Sequence, residues 1–191
     1  MRSRLTMQTL RNRVQIITLL LAAVILSGCF AGAKKSRILE RADRYFRAGE
    51  YDNAKIEYLN LLRLDNQNVT AFQQLGFIWF EQGVPLRAVP FLLKVRELAP
   101  QNVAARAKLA LGFMAVGQPT EARKESFSIL QQDPGNSDAI VLLADTSQSK
   151  EEIGATELQL EKFPQRDTVA FHLASARGSR CSEVRGQRVI S

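Results

Sequence analysis

The chain is poor in the residues that carry chemistry. Only Cys29 and Cys181 are cysteine, and only His172 is histidine, among 191 residues. No Cys-x-x-Cys or Cys/His spacing occurs, which argues against a zinc site, and the two cysteines do not read as a disulfide pair. No nucleophile–base pair and no phosphate-cradling loop is present. His172, beside Phe171 and Leu173, reads as a surface or half-buried residue rather than a catalyst. Glu151 and Glu152 read as the charged first turn of a helix, where acids offset the backbone dipole. The expectation is a protein without catalytic residues, bound metal, cofactor or small-molecule substrate.

Acid is scarce at both ends of the chain. Residues 1–28 contain Arg2, Arg4, Arg11 and Arg13 and no acid, and residues 177–191 contain four arginines against Glu183. These segments account for the net charge of +7, leaving 18 bases and 18 acids in residues 29–176. A neutral body lacks the clustered basic footprint that phosphate contact needs, so nucleic acid is excluded as a partner. Long apolar runs are scarce too. Val14–Leu26 is an apolar run of 13 residues broken by Gln15 and Thr18. It is shorter than the roughly 20 residues of a membrane-spanning helix and suits the apolar region of a secretory signal.

What the chain does have is a repeat. Residues 35–68, 69–102 and 103–136 align without a gap at a period of 34. Position 8 of each block holds Ala42, Gly76 or Ala110, and position 20 holds Ala54, Ala88 or Ala122. Small residues there let two helices approach closely. Position 11 holds Tyr45, Trp79 or Phe113, which fills the space between them. Position 15 holds Gly49, Gly83 or Gly117, at the end of the first helix, where left-handed backbone is favoured. Position 32 holds Asn66, Pro100 or Pro134, and the prolines stop the second helix.

This pattern closely resembles the tetratricopeptide repeat (TPR). The resemblance implies an all-α fold: a right-handed superhelical solenoid of antiparallel helix pairs. In the first repeat the helices are predicted at about Ser36–Ala48 and Asp52–Leu64. A degenerate fourth repeat starts in register at Ser137, but Ser147, Glu151 and Thr156 occupy its positions 11, 15 and 20. Its helices are predicted to end near Thr146 and to span about Lys150–Lys162, with the start of a fifth repeat completing residues 137–176. Residues 177–191 read as a disordered basic tail.

The apolar run ends in Leu26-Ser27-Gly28-Cys29, which resembles a bacterial lipobox. The resemblance implies a lipoprotein signal peptide over residues 1–28, cleaved to leave Cys29 as a lipidated N-terminus. The alternative is an uncleaved signal anchor with an incidental cysteine. Residues 29–34 would form a short lipidated tether. For a Gram-negative source, Phe30 in place of Asp after the cysteine implies the outer membrane, with the domain facing the periplasm.

In TPR proteins the first helices line a concave groove through positions 2, 5, 9, 12 and 13. By that resemblance Phe46, Phe77, Phe80, Leu111 and Met114 form an apolar peptide groove, or else pack against one another. The chaperone-type carboxylate clamp is absent, because Leu39 and Asp43 stand at its positions. The whole pattern is similar to the N-terminal part of TPR lipoproteins of exosortase/PEP-CTERM systems, over Arg41–Leu64 and Asp138–Phe163, followed by Ala170-Phe171-His172-Leu173-Ala174. That similarity implies a scaffold for protein partners in exopolysaccharide or exosortase-type envelope export. The other readings are an accessory lipoprotein for outer-membrane barrel or pilus-secretin assembly, and a shortened remnant of a longer TPR protein.

Overall fold

A computed structural model describes residues 32–177, which contain helices and no strand. Helix α1 covers residues 32–47; α2 is Tyr51–Leu64, α3 Val69–Glu81, α4 Pro85–Leu98, α5 Val103–Ala115, α6 Pro119–Gln132, α7 Ser137–Asp145 and α8 Lys150–Lys162. Helix α9 covers residues 169–177. The chain falls into two compact units, one ending at Asn66 and the other starting at Gln67. The expected signal peptide, Cys29, Cys181 and all but Arg177 of the expected basic tail lie outside the described residues.

The first unit is the hairpin of α1 and α2. Ala42 and Ala54 are fully buried in it. The Tyr58 hydroxyl donates to Asp43 Oδ1 at 2.7 Å, joining the two helices. Burial first, and then this bond, push the Tyr58 pKa up from the usual phenol value. Arg41 pairs with Glu57 at 2.6 Å, and Lys35 with Asp65 at 3.4 Å. Residues 32–34, expected as tether, are already helical. Ala33 and Lys34 are good helix formers, and nothing in their chemistry stops the helix from starting before Ser36.

The same turn closes three helices. Gly49, Gly83 and Gly117 have φ of +75°, +73° and +75°. After α3, Gly83 N–H donates to the Phe80 carbonyl at 3.0 Å and Val84 N–H to the Trp79 carbonyl at 2.9 Å. Gly117 and Gln118 bond Met114 and Phe113 in the same way, and Gly49 and Glu50 bond Phe46 and Tyr45. This is the paired capping pattern that satisfies the last carbonyls of a helix. Pro85 and Pro119 then begin the second helices at positions where the missing N–H has no partner to lose. At the other end of each block, Asn68, Asn102 and Asn136 cap α3, α5 and α7, each accepting at 3.0 Å from the third residue on.

In the second unit each helix from α3 to α8 packs on the next, and α5 also touches α3 and α7. One core gathers Leu92, Val95, Leu109 and Phe113 around Ala88, Ala105, Ala110 and Ala122. A second gathers Ile129, Ile140, Leu143, Leu160, Phe163 and, from α9, Ala174. Between them sits Glu125, whose side chain is 4 % exposed and accepts from Arg96 at 2.7 Å and Arg106 at 2.5 Å. These three residues tie α4, α5 and α6 together.

The fourth repeat is held differently. Here α7 ends four residues sooner than α3 and α5, and position 15, Glu151, already lies in α8. Ser149 and Glu152 start α8 with a reciprocal capping box. The buried guanidinium of Arg123 reaches from α6 into the space left by the missing aromatic. It donates to the Leu143 carbonyl at 3.0 Å, Ser147 Oγ at 2.9 Å, the Glu152 carbonyl at 2.6 Å and Thr156 Oγ1 at 3.1 Å. Burial lowers the Arg123 pKa, with the nearby Glu152 charge opposing the shift.

Two substitutions test this packing. A Cβ on Gly76 would lie 2.7 Å from Cγ and Cδ2 of the fully buried Leu92. The Gly76→Ala chain is expected to lose about 1–2 kcal/mol in urea unfolding, the clash outweighing the helix propensity gained. Arg123→Met strips the donors from four acceptors and is expected to cost about 3 kcal/mol. Hydrogen exchange should then rise in α7, α8 and α9 while α3 and α4 stay protected; uniform loss across the second unit would show that the network is not local.

Candidate functional site

The groove residues divide between the two units. Phe46 belongs to the first, where its ring meets Tyr51 at 5.9 Å between centroids. The other four belong to α3 and α5 of the second. Phe77 and Phe80 stand three residues apart on α3, and Leu111 and Met114 three apart on α5, so each pair shares a helix face.

These four side chains are not equally open. Phe77, Phe80 and Met114 are half-buried and pack against the core of Leu92, Leu109 and Phe113. Leu111 is 43 % exposed and stands clear. The Phe80 ring has a charged lid: Lys108 Nζ lies 4.7 Å from its centroid and bonds Glu81 Oε1 at 2.8 Å. A cation over an aromatic face at an exposed site is worth about 0.5–1 kcal/mol. The face is therefore an apolar strip, anchored in the core and bordered by one ion pair bridging α5 to α3.

Other polar contacts fix the same helices. Asn102, besides capping α5, donates from Nδ2 to Gln73 Oε1 of α3 at 2.6 Å. Asp145, at position 9 of the fourth repeat, pairs with Arg177 of α9. His172 is exposed, with its ring edge-on to Phe171 at 5.8 Å. Glu151 and Glu152 occupy the first turn of α8. Among the described residues no cluster of three or more His, Cys, Asp or Glu side chains could hold a metal. None of the described helices is long and apolar enough to cross a membrane.

The packing positions have a uniform setting. Ala42, Ala54, Ala88, Ala110 and Ala122 are fully buried, Gly76 and Phe113 are buried, and Tyr45 and Trp79 are half-buried. Pro100 and Pro134 each follow the capping residue of a second helix. Sequence reasoning missed Lys108, Arg123 and Glu125. Lys108 falls at position 6, outside the positions associated with the groove. Arg123 and Glu125 look like two more charges in the polar stretch Glu121–Glu125. A signal for Arg123 was present in the joint change of positions 11 and 20 to Ser147 and Thr156, two hydroxyls in place of an aromatic and an alanine.

No protein-family model matches the chain, and no curated protein matches it. Solved structures do. The chain is similar to MamA protein, with 20 % identity and a TM-score of 0.65 over 80 % of this chain and 86 % of that one. It is similar to YrrB, a TPR protein with an unusual peptide-binding site, at 24 % identity and a TM-score of 0.62, over 74 % of each chain. It is similar to the first TPR of Spaghetti (RPAP3) bound to HSP90 peptide SRMEEVD, at 23 % identity and a TM-score of 0.56, over 60 % of this chain and 91 % of that one. The all-helical fold is that of a TPR solenoid.

Proposed function

We propose that this chain is a membrane-anchored scaffold that holds a protein partner on the face formed by α3 and α5. The observation that carries the reading is a TPR fold with Phe77, Phe80, Leu111 and Met114 gathered on two adjacent first helices. Apolar side chains at three-residue spacing suit an extended or helical apolar segment. Two of the similar structures are described as peptide-binding, RPAP3 with its HSP90 peptide and YrrB with its peptide-binding site, which supports a peptide as occupant. The Leu26-Ser27-Gly28-Cys29 motif supports a lipid on Cys29, and Phe30 supports an outer-membrane location facing the periplasm. The similarity of the repeats to exosortase-system lipoproteins makes envelope polysaccharide export the preferred setting.

Leu111 gives the sharpest test, since its exposed side chain can change with little effect on the core. Phe80 and Met114 also support packing, so alanine there would mix two effects. Leu111→Glu is expected to leave the circular dichroism spectrum and melting temperature unchanged. It should lower capture of the partner from solubilised envelope by tenfold or more, about 1.4 kcal/mol. Equal capture by both chains would remove this face as the binding site. Deletion separates the settings: loss of exopolysaccharide supports export, whereas loss of an outer-membrane barrel or a secretin, with polysaccharide intact, supports an assembly accessory.

A further inference from the structure

The first described helix carries bases along one side. Lys34, Arg37, Arg41 and Arg44 recur at intervals of three and four residues, so they share a face of α1, and all four are exposed. Ala42 is buried on another face of the helix, and Ile38, also buried, borders the row. Arg41 is partly neutralised by Glu57, Glu40 borders the row, and Lys35 turns away to Asp65. Ala33, Lys34, Arg37, Ile38 and Arg41 line a hollow of about 490 Å³ on this helix. The end of a solenoid needs a polar outer face, but polarity alone does not call for one sign of charge.

The position of the row in the sequence gives it a partner. Only Phe30 and Ala31 separate Cys29 from residue 32, a reach of about 10 Å when extended. With Cys29 acylated, the first turn of α1 stays within roughly one Debye length of the headgroups at physiological salt. An upright helix would lift Arg44 about 15 Å above Lys34, beyond useful attraction. A helix lying along the surface brings the whole row to the headgroups.

We propose that the basic face of α1 lies on an anionic phospholipid surface, with Lys34, Arg37 and Arg44 on headgroup phosphates. The proposal rests on the lipid-anchor reading above. It turns the anchor from a loose tether into a support that sets the orientation of the first unit on the bilayer.

The test uses the full chain, matured in a bacterial host and reconstituted into vesicles. One set is phosphatidylcholine alone and the other contains roughly a third phosphatidylglycerol, enough to give a negative surface potential. Intact mass reports acylation of Cys29. Acetylation by a water-soluble amine reagent, read by peptide mass, reports access to Lys34 relative to Lys124 and Lys150. The expected result is about fivefold slower labelling of Lys34 in the anionic vesicles, lost at high salt. An Arg37→Gln/Arg44→Gln chain, with an unchanged circular dichroism spectrum, should lose the protection. Equal labelling in both vesicles, or protection retained by the double variant, overturns the headgroup contact while an acyl mass on Cys29 leaves the anchor standing. Absence of that mass overturns both.

Discussion

A helix hairpin of this size depends on stopping the first helix at one residue and no other. The left-handed glycine does this three times. A residue with a side chain would cost about 1–2 kcal/mol in that conformation. The turn also links positions that look independent in the sequence. Trp79, Phe113 and Tyr45 supply the carbonyl that accepts the outer bond of the glycine turn, and the rings of Trp79 and Phe113 pack with the core. The turn thus fixes the backbone where the aromatic sits, while the choice of an aromatic there is made by packing. The asparagine caps do the same work at the opposite end. Stop and start are both set by local bonds, so each block returns to the same register after 34 residues.

The fourth repeat shows what happens when the stop is lost. Glu151, at the glycine position, already lies in the first turn of α8, and α7 ends early at Thr146 and Ser147. An aromatic ring at position 11 would no longer be aimed into the hairpin. Arg123 fills the space instead, with a planar head whose fixed donors match two hydroxyls and two carbonyls. None of those partners is a carboxylate. The charge is held by dipoles, which explains why burial dominates its pKa shift. Its acceptors also bond the Thr146, Ser147 and Thr156 hydroxyls, so the guanidinium completes a shared buried network. It sets one geometry for α6, α7 and α8 where generic apolar packing would allow several.

The fold was legible because its determinants are local and repeated. Gly83 and Pro85 declare a turn whatever surrounds them, and three glycines and two prolines in one register remove the ambiguity of each. The span of α8 was readable too, with Glu151 and Glu152 marking its charged first turn. The helical state of residues 32–35 was not, since Gly32 is a poor helix former and Ser36 reads as a cap. The asparagines closing each block were visible as a period, but their capping role needs backbone geometry. Arg123 and Glu125 were hidden for a deeper reason. A buried charge is defined by partners 20 to 33 residues away for Arg123, and 19 and 29 residues away for Glu125. Composition counts such residues as surface charge. The candidate face was legible in its membership and not in its exposure, because the aromatic rings that line it also belong to the core.

That double membership shapes what the face can bind. Phe77, Phe80 and Met114 are held by the residues beneath them, so little side-chain entropy remains to be lost on association. The limit comes from Lys108 and Glu81. A partner that covered the Phe80 ring would have to strip water from this ion pair, and desolvating a pair commonly costs as much as the pair returns. Leu111 carries no such penalty. On the proposed binding reading, the apolar residues of a partner would lie along Leu111 and Met114 and leave the Lys108–Glu81 bridge wet at the rim, where it would steer charged partners without being buried by them.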